Sequence, residues 1–272
     1  VGLSEDDVPT YKSTFDGTMW YSVEEEYFTR LLAFVFQKPG SLPKVDVLIV
    51  DPSNEFGTGG TGKDTHGLVL RAMAGKEYCI SCKPEKVFGC RFPVDFTQCK
   101  FMFYSEGKIT EQQAEEHKNH TTEQECTIER KYEGPDKNAQ HFELQMQYSN
   151  ETKKARYVDN GTRRSFVAKA STTLKRTVGW FDDFYGGRSR PYRFEKPHVV
   201  KACYDYLMGI NVEGFHFGGD AIPKNDIFIE MASHSLAPEQ EFWNHLMDEV
   251  PSEWLNGDVS VADIVSKFKH YL

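Results

Sequence analysis

The first fifty residues show two different patterns of apolar positions. Ser22-Val-Glu-Glu25 has the spacing of a capping box, and apolar residues from Tyr27 to Val35 then recur at helical intervals. This pattern predicts a helix that begins at Ser22. The segment from Lys44 to Asp51 instead has a continuous Val-Leu-Ile-Val centre, which predicts a short buried strand.

Glycines and cysteines replace the apolar periodicity in the next part of the chain. A glycine-rich loop, Gly57 to Gly67, leads to a short helical run that ends near Ala74. The stretch from Cys79 to Cys99 holds four of the six cysteines, and we expect it to be irregular. Thr110 to Lys118 is polar on every side, so it is predicted to be an exposed helix or a mobile loop.

The second half of the chain has the pattern of short strands separated by polar linkers. In one of them, perfect alternation places Phe142, Leu144, Met146 and Tyr148 on the same face of a sheet. The candidate strands are Cys126 to Tyr132, His141 to Tyr148, Arg164 to Ala170, Thr177 to Phe184, His198 to Leu207 and Asp226 to Met231.

The chain ends in two predicted helices, Pro238 to Val250 and Ser260 to Tyr271, and the second opens with the capping pattern Ser260-x-x-Asp263. Together these elements predict an α+β fold: a curved, mostly antiparallel β-sheet with flanking helices at the N- and C-terminal ends. No repeat or linker requires a cut, so we predict a single domain over residues 1–272. The alternative is a subdivision into 1–125, a helix plus a Cys-rich region, and 126–272, the sheet with the C-terminal helices.

Composition adds an aromatic core and argues against a membrane protein. Aromatic residues make up 14% of the 272 residues, which supplies bulky side chains for a core. The longest strongly apolar run, Leu31 to Phe36, is six residues long, far below the roughly 20 that cross a bilayer. We therefore expect a globular protein without a membrane span.

Cysteines and sequons together predict a secreted protein. An even number of cysteines, four of them clustered, is typical of a disulfide framework, whereas their spacing lacks the paired CxxC knuckles of a zinc site. The disulfide candidates are Cys79, Cys82, Cys90, Cys99, Cys126 and Cys203. Sequons for N-glycosylation start at Asn119, Asn150 and Asn160. The first residue is Val1 rather than Met, which indicates that a segment such as a signal peptide was removed or that the chain was trimmed.

The net charge of −9 combines two regions of opposite sign. Residues 153–201 hold 13 Lys and Arg against four Asp and Glu, and the remainder of the chain carries −18. Aromatic residues are interleaved with these cations. One interpretation is a solvated sheet face that balances the acidic remainder; the other is a surface that attracts an anion, such as a lipid headgroup or a sulfated glycan. Nucleic acid is disfavoured as a partner because no RNA-binding motif supports it.

The most specific motif is Gly57-Thr-Gly-Gly60-Thr-Gly62-Lys63-Asp64-Thr65. It fits the nucleotide-kinase form of the phosphate loop, in which backbone N–H groups and a lysine bind phosphates. Three observations count against it. Asp64 stands where the common form has Ser or Thr, Pro52 to Glu55 separate the loop from its strand, and no downstream series of parallel strands and helices is recognised. A flexible surface loop is therefore the favoured interpretation.

Other constellations of polar residues predict no catalytic or metal site. Glu241, His245 and Asp248 can share one helix face but do not form a metalloprotease motif. Asp182 and Asp183 point to opposite sides of an extended strand, so they cannot act as an acid–base pair. The sequence thus predicts no catalytic residue, no metal and no cofactor, and favours a protein that is not an enzyme.

Segments between residues 142 and 231 resemble the LolA-like and ependymin-related group of secreted proteins. The matching segments are Phe142-Glu-Leu-Gln-Met, Ala155-Arg-Tyr-Val-Asp159, Arg163-Arg164, Val178-Gly-Trp-Phe-Asp-Asp-Phe184, Lys201-Ala-Cys203 and Ala221-Ile-Pro-Lys-Asn-Asp-Ile-Phe228. They cover roughly a third of the chain, and the first 120 residues have no counterpart. The resemblance implies a strongly curved antiparallel sheet, closed by helices around an apolar cavity for lipid-like ligands, and no catalysis.

We therefore predict a secreted glycoprotein that binds a hydrophobic or anionic amphiphilic ligand in a cup formed by the sheet. The residues predicted to bind it are Phe142, Leu144, Met146, Tyr148, Phe166, Trp180, Phe184, Arg188, Arg190, Tyr192 and Arg193. A first alternative is a secreted interaction module or effector whose basic and aromatic face binds a partner protein or a sulfated glycan. A second is a nucleotide-dependent phosphotransferase that uses residues 57–65.

Overall fold

Short strands and helices alternate along most of the chain. The structure, a computed structural model, describes residues 10–51, 61–105, 108–150, 152–156, 158, 162–171, 182, 184–186, 191–235, 238–248 and 259–271. The strands are β1 (Tyr11–Lys12), β2 (Met19–Trp20), β3 (Asp46–Val50), β4 (Cys79–Cys82), β5 (Phe101–Ser105), β6 (Glu125–Ile128), β7 (Asp136–Gln140), β8 (Leu144–Ser149) and β9 (Ser165–Lys169). The helices are α1 (Val23–Gln37), α2 (Thr65–Ala74), α3 (Glu111–Thr122), α4 (Thr152–Ala155), α5 (Pro197–Gly209), α6 (Asp226–Ser233), α7 (Pro238–Asp248) and α8 (Val261–Tyr271).

Five strands form one sheet in which all neighbours are parallel. The order across the sheet is β4-β5-β8-β3-β9, and each adjacent pair runs in the same direction. Two antiparallel pairs, β1 with β2 and β6 with β7, lie outside this sheet. The predicted α+β fold with a curved, mostly antiparallel sheet is therefore wrong. A parallel sheet with flanking helices gives the protein an α/β architecture.

Two buried glutamines in β8 explain part of this error. Leu144, Met146 and Tyr148 of the alternating segment share one face of the sheet, as predicted, whereas Phe142 lies before the strand. Gln145 and Gln147 on the other face are also buried. Gln145 accepts a hydrogen bond from the Tyr104 hydroxyl at 2.9 Å, and Gln147 donates one to the carbonyl of Ala155 at 2.9 Å. These buried glutamines form hydrogen bonds inside the protein. The strand therefore shows the alternation of apolar and polar residues that is typical of half-exposed antiparallel strands.

Two predicted strands are helices. His198 to Leu207 lies inside α5, which has Pro197 at its first position, where the missing N–H would have no partner in any case. Asp226 to Met231 lies in α6, whose N-cap residue Asn225 accepts a hydrogen bond from the backbone N–H of Phe228 at 3.1 Å. The mistake has a physical reason, because a short apolar run has the same pattern in a buried strand and in a buried helix.

Both predicted helix caps are confirmed. The Ser22 hydroxyl accepts a hydrogen bond from the backbone N–H of Glu25 at 3.1 Å. The Ser260 hydroxyl accepts one from Asp263 at 3.1 Å, and the Asp263 carboxylate accepts one from the Ser260 N–H at 3.2 Å. The strand predicted over Lys44 to Asp51 is β3, and all five of its residues are buried. Elements with strong local signals are thus predicted correctly.

Helices cover both faces of the parallel sheet, and each face has its own core. On one face, Tyr27 and Leu31 of α1 pack against sheet residues that include Phe166. On the other face, Ile227 and Met231 of α6 pack against β3 and β9. This burial on both sides is characteristic of parallel sheets, whose crossover connections place helices on the two faces.

A buried group of charged side chains fixes the N-terminal end of β3. Arg156 Nη2 lies 2.5 Å from Asp46 Oδ1, and the Ser165 hydroxyl donates to Asp46 Oδ2 at 3.0 Å. His117 Nε2 of α3 lies 3.6 Å from the same Oδ2. Burial lowers the pKa of His117 to about 4, although the charge of Asp46 acts in the opposite direction. His117 is therefore neutral at pH 7.

Three further predictions concern single segments. None of the described helices is both long and apolar enough to cross a membrane, as the lack of a long apolar run predicted. The polar segment Thr110 to Lys118 is helical, as part of α3. The predicted strand Thr177 to Phe184 lies outside the described residues, except for Asp182 and Phe184, which are helical.

Candidate functional site

The glycine-rich loop follows the carboxyl end of β3, in the interior of the sheet. β3 has β8 on one side and β9 on the other, and the chain leaves β3 for the edge strand β4 before it returns through β5 and β8. From β8 the chain continues to β9, on the other side of β3. Connections from the neighbouring strands β3 and β8 therefore run in opposite directions across the sheet. In open parallel sheets, ligands bind beyond the carboxyl ends of the strands at the point where connections diverge in this way. The loop occupies that position.

The described part of the loop leads into α2 through a tight turn. Residues 52–60 lie outside the described residues. Asp51, directly after β3, is fully buried, and its Oδ2 accepts a hydrogen bond from the Thr61 hydroxyl at 3.0 Å. Gly62 has a φ of 76°, a conformation that favours glycine. The backbone N–H of Thr65 donates to the carbonyl of Gly62 at 2.9 Å, which closes the turn.

The cation of the loop is Lys63, whose side chain is 12% exposed. Its Nζ lies 3.4 Å from Oδ2 of Asp64, a side chain that is 69% exposed. Asp64 is the N-cap residue of α2 but makes no capping hydrogen bond with its side chain. An ammonium group beside a helix N-terminus is an arrangement that binds phosphate oxygens.

An aromatic cluster borders the first residue of α2. The hydroxyl oxygens of Thr65 and Tyr185 lie 2.9 Å apart. The rings of Tyr185, Phe184, Tyr192 and Phe194 pack with centroids 5.0 to 5.8 Å apart. These residues belong to the basic and aromatic region 153–201, so part of that region does approach the loop. The first turn of α2 after its N-cap residue Asp64 holds no acidic residue.

Gly67 allows α2 to lie close to the sheet. A Cβ atom placed on Gly67 would lie 3.3 Å from the Tyr148 hydroxyl oxygen and 3.5 Å from the ring of Phe103. The first of these distances is tighter than an ordinary van der Waals contact. The helix N-terminus, and with it the loop, is therefore positioned by the lack of a side chain at residue 67.

Polar residues at the ends of the neighbouring strands border the loop. Ser149 of β8 is the register partner of Val50, and its carbonyl accepts a hydrogen bond from the Asp51 N–H at 2.9 Å. Asn150 follows, and its Oδ1 is buried with no hydrogen-bond partner among the described residues. A buried acceptor is destabilising unless a ligand or water donates to it. Lys169 ends β9 on the other side of β3.

Four of the predicted ligand-binding side chains lie in the core. Leu144, Met146, Tyr148 and Phe166 are buried in the layer between the sheet and α1. Phe142 is half-buried and lines a cleft of about 470 Å³. Among the described residues that line this cleft, it is the one member of the predicted set. These four buried side chains therefore form core contacts rather than the wall of a cup.

The other predicted ligand-binding residues lie either near the aromatic cluster beside the loop or outside the described residues. Phe184 and Tyr192 belong to the aromatic cluster, and Arg193 is exposed nearby. Three predicted residues, Trp180, Arg188 and Arg190, lie outside the described residues. The amphiphile-binding function stays a prediction.

All six cysteines are free thiols in the structure. Cys79 and Cys99 are buried, and the other four are half-buried. Among the sequons, Asn119 is exposed on α3, Asn150 is half-buried after β8, and Asn160 lies outside the described residues. Disulfide formation, glycosylation and secretion therefore stay predictions.

Of the three observations that counted against a phosphate loop, the structure removes one. The downstream strands β4, β5, β8 and β9 are parallel to β3, so the sheet that such a loop requires is present. Pro197 and Asn225, as helix-start signals, could have revealed the helices of this architecture. The other two observations remain, because Asp64 follows Lys63 and several residues separate β3 from the glycines.

Sequence reasoning also missed Asp51, whose signal was a polar residue directly after a buried strand.

Comparison with solved structures shows a fold similar to that of the NrS-1 C-terminal region. The A form apo structure of that region matches with a TM-score of 0.60 at 14% identity, over 92% of this chain and 58% of that chain. An apo structure of residues 305–718 matches with a TM-score of 0.58 at 14% identity, over 90% and 57%. This chain thus spans less than two thirds of the length of these structures. At this identity the likeness concerns the fold alone.

Comparisons by sequence give no further relative. No family model matches the chain. No curated protein matches it either. The functional conclusion therefore depends on the residues and geometry of the loop.

Proposed function

We propose that this protein is a phosphate-loop domain that binds a nucleoside triphosphate and transfers its terminal phosphoryl group to water or to another acceptor. The observation that carries the proposal is the position of residues 57–65. Of these residues, Thr61 to Thr65 are described, and they follow the interior strand β3 and lead into α2 beside an all-parallel sheet. That is the context in which a glycine-rich sequence with a lysine binds phosphates.

Each part of the loop has a distinct role in this proposal. Backbone N–H groups near Gly62 and the N-terminus of α2 bind the phosphate oxygens, and Lys63 approaches the β- and γ-phosphates. The Thr65 hydroxyl and the Asp51 carboxylate supply oxygen ligands of the kind that Mg²⁺ prefers. Mg²⁺, when bound, neutralises the charge of the phosphate oxygens during transfer. The protein's contribution is mainly to position charges.

Asp64 is the main departure from the common motif, but its surroundings weaken its repulsion of a bound phosphate. Its carboxylate is largely exposed and lies near Lys63, so water screens its repulsion of a phosphate. Lys63 has to leave Asp64 when it binds phosphate. We therefore expect Asp64 to weaken nucleotide binding without preventing it.

Replacing Lys63 with alanine tests the proposal directly. The variant loses charge-assisted hydrogen bonds to phosphate, so its affinity for Mg·ATP should fall about 10- to 100-fold in a calorimetric titration. Lys38→Ala, which removes an exposed lysine directly after α1, is the control and should bind as the wild type does. Equal affinities of wild type and Lys63→Ala, or a wild type that binds neither ATP nor GTP, would contradict the proposal.

Asp64→Asn gives a second, opposite test at the same loop. The substitution keeps the size of the side chain but removes a negative charge beside the phosphates, so the affinity for Mg·ATP should increase a few-fold, most clearly at low salt. A weaker affinity in Asp64→Asn would show that phosphates do not bind beside this residue. Release of inorganic phosphate, measured in the same samples, separates turnover from binding alone.

A further inference from the structure

A second cluster of chemically active side chains lies at the opposite end of β8 from the phosphate loop. His120 belongs to the last turn of α3, and His141 and Glu143 lie in the segment that joins β7 to β8. We call these three residues the His–His–Glu cluster. Sequence analysis selected none of them, because the spacing between His120 and His141 matches no metal motif and α3 has to fold back onto β8 to bring them together.

The three side chains converge on one small volume. His120 Nε2 lies 2.5 Å from Glu143 Oε1, and His141 Nδ1 lies 3.1 Å from Glu143 Oε2. One ligand atom of each residue lies within 4.8 Å of those of the other two. The imidazole rings of His120 and His141 are stacked with centroids 4.2 Å apart. Two imidazoles and a carboxylate are therefore near enough to bind one ion.

The cluster is buried and lacks a full set of partners. The side chains of His141 and Glu143 are 0% exposed, and that of His120 is 9% exposed. Among the described residues, the ion-pair partners of Glu143 are these two histidines, with no Lys or Arg in contact. Among the residues that the structure describes, His141 Nε2 is buried and has no hydrogen-bond partner.

We propose that His120, His141 and Glu143 bind one Zn²⁺ ion. Imidazole nitrogen and carboxylate oxygen are common zinc ligands, and three protein ligands leave the fourth tetrahedral position for a water molecule or a thiolate. A divalent cation balances the Glu143 carboxylate while both imidazoles stay neutral, as ligands must be. The slightly exposed His120 marks the side from which the ion enters.

The surroundings suit a structural rather than a catalytic ion. The ring of Phe96 packs edge-on against His120 and His141, with centroids 4.5 and 5.6 Å apart. Such apolar walls limit the access of water and substrate. The ion would connect α3 to the segment that leads into β8.

Metal titration of the whole chain tests this site. After treatment with a chelator and its removal, wild type should bind one Zn²⁺ per chain in calorimetry, and Co²⁺ should give the visible absorption bands of a tetrahedral site. Glu143→Gln keeps the size of the side chain, and its Zn²⁺ affinity should fall at least about tenfold. His120→Gln should behave in the same way. His216→Gln removes an exposed histidine elsewhere and should bind Zn²⁺ like the wild type.

Two results would overturn the zinc site. One is a wild type that binds no stoichiometric Zn²⁺ and gains no thermal stability from it, which would identify the cluster as a hydrogen-bonded network only. The other is Zn²⁺ binding that is unchanged in Glu143→Gln and His120→Gln, which would place the ion elsewhere. Circular dichroism of each variant verifies that it is folded. Nucleotide binding is not involved in either readout.

Discussion

At the scale of single residues, buried ionisable side chains control how stability depends on pH. His117 faces Asp46 of β3, Arg156 and His120, and burial lowers its pKa from 6.5 to about 4. Between these two values the unfolded chain binds a proton that the folded chain does not bind. The free energy of unfolding therefore falls as the pH decreases from 6.5 to 4, and the contribution of His117 is fully present above pH 6.5.

Replacing His117 with leucine should remove this part of the pH dependence. From the two pKa values, the wild type should lose about 3 kcal/mol through His117 between pH 6.5 and 4, whereas His117→Leu should not show that part of the loss. Urea unfolding at several pH values measures the difference. His216→Leu, at an exposed histidine, should keep the wild-type profile. A slope that is identical in wild type and His117→Leu would show that His117 protonates normally in the folded protein.

At the scale of the element, the contact of α2 with the sheet positions the described end of the proposed phosphate loop. The N-terminus of this helix carries Thr65, and two residues later Gly67 lies against Tyr148 and Phe103. Glycine inside a helix is normally unfavourable by roughly 1 kcal/mol relative to alanine. Here the close approach of helix and sheet explains why glycine is suited to this position.

Gly67→Leu should therefore affect both stability and binding. The new side chain overpacks the space beside Tyr148, which should lower the free energy of unfolding by about 1 to 3 kcal/mol, and the displaced helix should bind Mg·ATP more weakly. Gly209→Leu is a matched control, because Gly209 ends α5 and a Cβ there meets nothing within 4 Å. If Gly67→Leu is as stable as Gly209→Leu, the helix does not depend on this close approach.

At the scale of the whole molecule, the two proposed sites lie at opposite ends of one sheet. The phosphate loop follows the carboxyl end of β3, whereas the His–His–Glu cluster precedes the amino end of its parallel neighbour β8. Six residues of β8 separate these ends, which corresponds to about 20 Å. Sites at this distance without shared side chains should stabilise the protein independently.

Stabilisation by Mg·ATP and by Zn²⁺ should therefore be additive. Each ligand at a concentration 100 times its dissociation constant adds about 2.7 kcal/mol to the free energy of unfolding, and both together should give the sum within about 0.5 kcal/mol. Chemical unfolding with each ligand, and with both, measures this. Lys63→Ala should lose the ATP increment alone, and Glu143→Gln the Zn²⁺ increment alone. Loss of both increments in either variant would reveal coupling between the two ends.

The glycine-rich loop is easier to recognise in the sequence than the fold around it. The glycines, Lys63 and the following helix are visible in a few adjacent residues, because a turn and a helix depend on local conformation. The partners Asp51 and Tyr185 are not, since the latter is 120 positions from Thr65. Leu144, Met146 and Tyr148 share a face, as the alternation predicts, but the sequence does not reveal that helix α1 covers this face.

Sequence alone thus determines α1 with its cap at Ser22, the buried strand β3, the glycine-rich loop and the start of α8. Each depends on hydrogen bonds or periodicities within a few residues. Only the tertiary structure decides that the strands are parallel, that α5 and α6 are helices, and that His120, His141 and Glu143 meet. The physical reason is that strand direction and side-chain convergence depend on packing between segments that are distant in the chain. That packing overrides weak local preferences.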